Sequence, residues 1–290
     1  MFERHLVKFI LMKSRTRKII NEFKLNNTFF YSWGMKKSGK YLRNSIKNKK
    51  LVFIEDGFIH SYGIKKKKVP LSICYDNIGI YYDCNNKNDL DNFISEKLSK
   101  NDISRSKNII ALWKKYSISK YNFPSFIEPP SYPYILLIDQ TFGDLSLEYG
   151  DANENSFKRM FEFATNNWPH HKIVIKTHPD VINYKKKGCI NISNYEKGKY
   201  KVLGDIGQIN KLIEFSTAVC VVTSQVGFEA LIYGKEVHVF GKPFYSGLGL
   251  TIDHNINNKK AVDITLEQLV FSALVKYQIC INPRTKKKCE

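Results

Sequence analysis

Tyr134-Ile135-Leu136-Leu137-Ile138-Asp139-Gln140-Thr141-Phe142-Gly143-Asp144 and, further on, Ile173-Val174-Ile175-Lys176-Thr177-His178-Pro179-Asp180 decide how this chain is read. Each is an apolar run that breaks into a polar loop, the first acidic and the second basic. Between them Phe157, Met160, Phe161 and Ala164 recur at helical spacing. The pattern is strand, acidic loop, helix, strand, basic loop. In an open α/β sheet ligands bind beyond the carboxyl ends of the strands, and both loops leave such ends. Two carboxylates and a Lys/His pair are therefore expected to face one crevice.

Upstream, Thr28 to Trp33 reads as a strand and Lys36 to Asn48 as a basic helix. Leu51-Val52-Phe53-Ile54 then ends in Glu55-Asp56-Gly57-Phe58, a further strand end that delivers carboxylates with the same polarity. Asp-Gly is also an ordinary turn signal, so it is the position that gives Glu55 and Asp56 weight. Val69 to Ile73 and Gly79 to Asp83 read as two short strands about a turn at Asp76-Asn77, and Asp89 to Ser99 and Ser106 to Tyr116 as helices. Asn122 to Pro133 holds four of the nine prolines, Pro124, Pro129, Pro130 and Pro133. So proline-dense a stretch cannot be regular structure and reads as the linker between an N-terminal lobe, 1–130, and a C-terminal lobe, 131–290.

Downstream, residues 183–204 show no clear period and Gln208 to Phe215 reads as a short helix. Val219-Cys220-Val221-Val222 is a buried strand that ends in Thr223-Ser224-Gln225-Val226-Gly227-Phe228-Glu229. Small polar residues, a glycine and a helix after a strand make an amide cradle suited to a phosphate or a sugar hydroxyl. Val237 to Gly241 is another strand, Lys242 to Asp253 an aromatic, glycine-rich loop, and Leu266 to Tyr277 the closing helix.

The 290 residues, 43% hydrophobic, are enough for two modest α/β lobes with cores of their own. The 46 Lys and Arg against 27 Asp and Glu leave a net charge of +19, which suits polyanionic partners or a merely solvated basic surface. Cys74, Cys84, Cys189, Cys220, Cys280 and Cys289 form no CxxC, which points to reduced thiols in a cytosolic protein without a zinc framework. Met1 to Ile20 mixes apolar residues with six Lys and Arg, too interrupted for a membrane span. It reads either as a basic amphipathic helix on a membrane surface or as the first helix of the fold.

Two lobes of strand-loop-helix units about a proline-rich link outline a nucleotide-sugar transferase of the GT-B type, with two Rossmann-like lobes facing a central cleft. The series Glu55-Asp56-Gly57-Phe58, Pro70-Leu71-Ser72, Gly79-Ile80-Tyr81-Tyr82-Asp83, Asp139 to Asp144, Lys176 to Val181, Thr223 to Leu231 and Phe240-Gly241-Lys242-Pro243-Phe244-Tyr245 closely resembles the capsule polysaccharide biosynthesis family. It is most similar to the retaining β-Kdo glycosyltransferases of the KpsC type, from about Trp33 to Thr285. The resemblance implies a GT-B protein that uses CMP-Kdo as donor and adds β-Kdo to a bacterial surface glycan or glycolipid, in capsule or lipopolysaccharide biosynthesis. The capsule enzyme carries two such modules, and one module implies one residue or one linkage type.

Retention of anomeric configuration needs a covalent intermediate or a same-face reaction, and a carboxylate is the natural nucleophile for the former. Asp144 occupies the acidic position of the family's Gln-Thr-x-x-Asp motif and is the expected nucleophile, with Asp139 an orienting or structural partner. Glu55 and Asp56 are candidates for acid/base work on the acceptor hydroxyl. Departure of CMP leaves a phosphate dianion, which calls for positive charge or donors nearby, and His178 and Lys176 fit that role. Gln140, Thr141, Pro179, Ser224, Gln225 and Gly227 complete the expected CMP site, and Glu229 is expected to reach ribose hydroxyls. His60, where the family often has Arg, and Tyr245, which opens Tyr-Ser-Gly-Leu-Gly-Leu-Thr where the family often has Tyr-Ala-Gly-Trp-Gly-Leu-Thr, fall in loops expected to touch acceptor. No metal or other cofactor is expected, because basic residues and helix dipoles serve the leaving group in many GT-B proteins. Alternatives are the same fold using another CMP-linked ulosonic acid, and a non-catalytic polyanion-binding or export component. No nucleic-acid motif accompanies the charge, so nucleic acid is not an expected partner. The expected location is cytoplasmic, with peripheral contact to the anionic inner face of the membrane.

Overall fold

The computed structural model describes residues 29–36, 40, 43, 50–62, 70–178, 181, 186–191, 195, 198–204, 206–255 and 262–289. The helix expected over Met1 to Ile20, most of the one expected over Lys36 to Asn48, and Pro179 lie outside them.

The first lobe contributes β1 (Phe29–Trp33), β2 (Lys50–Asp56), the two-residue β3 (Ser61–Tyr62) and β4 (Ser72–Asp76). Helices α1 (Asp89–Ser95) and α2 (Lys100–Lys115) follow, capped by Asn88 and by a Ser99/Asp102 capping box, and then β5 (Tyr121–Asn122). The second lobe runs through β6 (Tyr134–Ile138), α3 (Leu145–Tyr149), α4 (Glu154–Asn167), β7 (Lys172–Lys176), β8 (Tyr200–Leu203), α5 (Asn210–Phe215), β9 (Ala218–Val221), α6 (Val226–Ile232), β10 (Glu236–Val239) and β11 (Ile252–Asp253). Helix α7 (Leu266–Val270) continues as a π-helical segment, Phe271–Tyr277, into β12 (Gln278–Ile281) and β13 (Lys288–Cys289).

The second sheet has the order β11-β10-β9-β6-β7-β8 and is parallel throughout. Its central strands are buried on both faces, which is why they are continuous apolar runs rather than alternating ones. Alternate side chains still go to opposite layers. Ile135, Leu137, Ile173 and Ile175 pack with Phe157, Met160, Phe161 and Ala164, the face of α4 expected from its spacing. Leu136, Ile138, Val174, Val219 and Val221 face the other way, into a core that takes in Phe228 and Leu231 of α6 together with Phe58 and Tyr277.

The first sheet has the order β1-β2-β4-β12-β13, with β1 and β2 parallel and the other pairs antiparallel. Two expectations change here. The division at 130/131 leaves the end of the chain with the second lobe, yet β12 and β13 join the first sheet. Ile281 packs with Val52, Ile54 and Ile73, and its amide donates to the Leu71 carbonyl at 2.7 Å. Residues 79–83 are not a strand, and β4 runs on to Asp76. The fully buried Asp76 carboxylate takes the amides of Ile78 and Gly79 at 2.8 Å each and that of Asp89 at 3.0 Å. Those bonds curl the chain instead of extending it.

Tyr277 Oη also donates to Asp76 at 2.9 Å, so this carboxylate ties the first lobe to the returning C-terminal segment. Asp76→Ala, which strands several donors, is expected to lower unfolding free energy by about 3 kcal/mol, and Tyr277→Phe, which removes one bond, by about 1 kcal/mol. Urea titrations of both variants check this. Equal losses would contradict the role given to Asp76.

Candidate active site

The loops leaving the carboxyl ends of β2, β6, β7 and β9 meet the 119–123 segment around a cleft of about 380 Å³ between the lobes. Glu55, Asp56, Gln140, Asp144, Lys176, His178, Ser224, Gln225 and Glu229 all line it. Thr141, Gly227, His60 and Tyr245 do not, and Pro179 lies outside the described residues.

From the first lobe, Glu55 Oε1 accepts from Trp33 Nε1 at 2.8 Å and from the Asp56 amide at 3.0 Å. Gly34, with φ +52°, passes so close that a Cβ there would run into the Glu55 carboxylate and the Tyr82 hydroxyl. A side chain at 34 would both strain the backbone and displace Glu55. His60 approaches Asp56 with Nδ1 to Oδ1 at 3.4 Å and sets its ring edge-on to Tyr121. It bears on the cleft through Asp56 rather than lining it.

From the second lobe, Asp139 is buried and accepts three amides, those of Gln140, Cys189 and Ile190, at 2.9 Å each. Burial pushes its pKa up, although the three amides pull it down. Those bonds hold the loop that carries the next residues. Gln140 spans two loops: Nε2 donates to Thr223 Oγ1 at 3.0 Å and Oε1 accepts from the Thr223 amide at 3.0 Å. Its amide is thus committed to loop geometry. Asp144 caps α3, with Oδ1 accepting from the Ser146 amide at 3.0 Å. Among the described residues no hydrogen-bond donor reaches Oδ2. Thr141 Oγ1 lies 3.2 Å from His178 Nδ1, which orients the imidazole that faces the cleft. Lys176 is buried, with Nζ donating to the Thr177 carbonyl at 2.6 Å. The arrangement gathers the carboxylates Glu55, Asp56 and Asp144 and the basic groups Lys176 and His178 around one cleft, which is suited to displacing an anionic leaving group.

Behind the Ser224 loop, Tyr245 is fully buried and its hydroxyl donates to the Ser224 carbonyl. A Cβ on Gly227 would collide with the Tyr245 ring, so glycine is needed there for packing. Tyr245 therefore supports the Ser224 loop from below, and its neighbours Pro243 and Phe244 reach the cleft in its place. The expectation that Tyr245 touches acceptor is corrected accordingly.

Glu229 lines the cleft from a buried position. It is 1% exposed, and its oxygens accept from Ser119 Oγ at 2.8 Å and the Lys120 amide at 3.1 Å. Both oxygens are thus engaged by the protein, although the residue still lines the cleft. Gln225 Nε2 lies 3.4 Å from Glu229 and donates to the Phe58 carbonyl at 2.7 Å, which brings the first lobe into the same network. Ser119 and Lys120 went unnoticed in sequence because they sit between a helix and the proline-rich link with no motif around them. Among the described residues no group of three or more His, Cys, Asp or Glu is placed to hold a metal ion, and no helix is long and apolar enough to cross a membrane.

Burial pushes Glu229 up to about 7, against the pull of Ser119 and the Lys120 amide. An ordinary glutamate ionises near 4.5, so above that pH the folded protein keeps a proton that the unfolded chain has lost. This group's contribution to stability is complete below about 4.5 and falls as pH rises toward about 7. The Glu229→Gln variant lacks that dependence. Its stability relative to wild type is expected to rise between about pH 5 and pH 8, by on the order of 3 kcal/mol. Denaturant titrations across that range check it. Parallel curves would contradict the burial of a titrating carboxyl.

Comparison with known proteins identifies relatives along most of the chain. The family model described as capsule polysaccharide biosynthesis protein matches residues 30–133 and 113–281. The capsule polysaccharide modification protein LipA of Neisseria meningitidis is 33% identical over 271 residues, covering 87% of this chain and 38% of LipA. The lipopolysaccharide-processing protein LpsZ of Rhizobium meliloti is 31% identical over 264 residues, covering 87% of this chain and 60% of LpsZ. The chain thus spans less than two thirds of either relative. The solved β-Kdo 2,4 transferase of Thermosulfurimonas dismutans KpsC superposes with a TM-score of 0.83 at 32% identity, over 90% of this chain and 83% of that one. The β-Kdo 2,7 transferase of the same protein gives 0.74 at 25% identity, over 98% and 92%. With an α/β, GT-B-type fold shared with these structures and a family match along most of its length, the chain belongs to the capsule polysaccharide biosynthesis family.

Proposed function

We propose that this chain is a retaining β-Kdo glycosyltransferase that takes Kdo from CMP-Kdo and attaches it to a bacterial surface glycan or glycolipid. The observation that carries the reading is the joint one: a fold shared with the two KpsC transferases, and Asp144 with an unclaimed Oδ2 in one cleft with His178, Lys176 and Ser224.

In this reading Asp144 Oδ2 attacks the anomeric carbon and the bond from that carbon to the phosphate oxygen breaks. CMP leaves with the bonding electrons, and a glycosyl ester on Asp144 remains. His178, held by Thr141, and Lys176 meet the charge that develops on the phosphate, while Ser224 and the amides that follow it bind the phosphate itself. Glu55 or Asp56 then takes the proton of the acceptor hydroxyl as that oxygen displaces Asp144, and two inversions give net retention. Metal is not called for, since the charge of the leaving group is matched by these side chains. The site of action is assigned to the cytoplasm, at the inner face of the membrane, where a net charge of +19 favours contact with anionic lipid.

Intact-protein mass spectrometry after incubation with enzymatically generated CMP-Kdo and no acceptor tests the reading. The expected result is a mass increase of one Kdo on the wild type and none on Asp144→Ala or Asp144→Asn. An adduct that persists in both variants would remove Asp144 from the role, and CMP binding without any adduct would move the donor to another CMP-linked sugar.

A further inference from the structure

Two cations that line the cleft, Lys36 and Lys120, are left without work by that mechanism, and Lys36 is exposed to solvent. Lys120 lines the cleft from the segment between α2 and β5, and its backbone amide is fixed on the buried Glu229. Its side chain is half-buried. Among the described residues its ammonium makes no hydrogen bond or ion pair, and its one contact of note is the ring of Tyr121, 5.7 Å from Nζ. Lys176 differs, with its ammonium already bonded to the Thr177 carbonyl. An ammonium drawn out of bulk water without an acceptor is costly, and such a group is placed to receive an anion.

Which anion follows from its surroundings. Asp56, Asp144 and Glu55 line the same cleft. Burial works against the charge on Lys120, but Tyr121, Asp56, Asp144 and Glu55 together outweigh it and keep the lysine protonated. A donor sugar with a carboxylate of its own would bring a fourth negative charge to these three, and Asp144 must attack the carbon next to it. Without a cation at that point the sugar would be repelled from the group meant to attack it. The phosphate is already provided for at the ends of β7 and β9.

We propose that the Lys120 ammonium binds the carboxylate of the transferred acidic sugar and so sets the preference for ulosonic acids over neutral sugars. This inference rests on the reading of the cleft as a site for a CMP-linked acidic sugar.

The test uses the full chain with Lys120→Met, Lys120→Gln and Lys120→Arg, each checked for an unchanged thermal melt. CMP release from freshly generated CMP-Kdo gives kcat and KM, and CMP as a competitive inhibitor gives the affinity for the nucleotide alone. The expected result is a KM for CMP-Kdo raised about tenfold or more in Lys120→Met and Lys120→Gln, CMP inhibition within about twofold of wild type, and partial recovery in Lys120→Arg. Equal weakening of CMP and CMP-Kdo would place Lys120 on the phosphate and overturn the inference while leaving the donor reading intact. Unchanged KM in both truncations would overturn it as well. Wild type that binds CMP but neither binds nor consumes CMP-Kdo would overturn the donor reading and this inference with it.

Discussion

Glu229, a carboxyl group buried under the floor of the cleft, holds the two lobes in their working relation. It sits on α6 of the second lobe and accepts from Ser119 and Lys120 of the connecting segment, and Gln225 beside it bonds the Phe58 carbonyl of the first. A group of this kind contributes little when its partners are counted singly, yet losing one partner leaves buried polar atoms uncompensated. The aromatic side chains of Tyr81, Phe228, Phe244 and Tyr277 pack around Phe58 across the same boundary, with ring centroids 4.9 to 6.3 Å from it. The floor is therefore part hydrogen-bonded and part apolar. The loops above it are set against one another by these contacts and by Gln140, which bridges the ends of β6 and β9.

Much of this was legible in sequence because parallel strands announce themselves. A buried strand of a parallel sheet must be apolar throughout, so Tyr134 to Ile138, Ile173 to Ile175 and Val219 to Val222 stand out, and the polar residues after them fall at the ligand-binding edge. The face of α4 was legible for a similar local reason. What sequence could not show is which distant segments meet. Gln278 to Ile281 is too short for its pattern to reveal that it returns to β4, and nothing near Asp76 says that its side chain will gather the amides that follow it. Lys120 is one of 46 basic residues, and only the fold sets it apart by placing it in one cleft with carboxylates. Tyr245 misled for the opposite reason, since a loop rich in glycine and aromatics looks like a ligand contact even when one of its rings faces inward.

The same arrangement bears on how such a site differs among relatives. The carboxylates come from β2 and β6, the basic groups from the end of β7, and Lys120 from the connecting segment. On the proposed reading, change in the connecting segment would alter which sugar is accepted without touching the groups assigned to bond cleavage. On the same reading, change around His60 or Phe244 would alter the approach of the acceptor while the nucleotide side stays fixed.

A crystal structure of the chain with CMP bound tests the central claim most directly, because the account commits to one location for the nucleotide phosphate. It predicts the phosphate between His178 and the Ser224 loop, inside the cleft and opposite Asp144. A nucleotide seated outside that cleft, or one whose phosphate lies against Glu55 and Asp56, would contradict it.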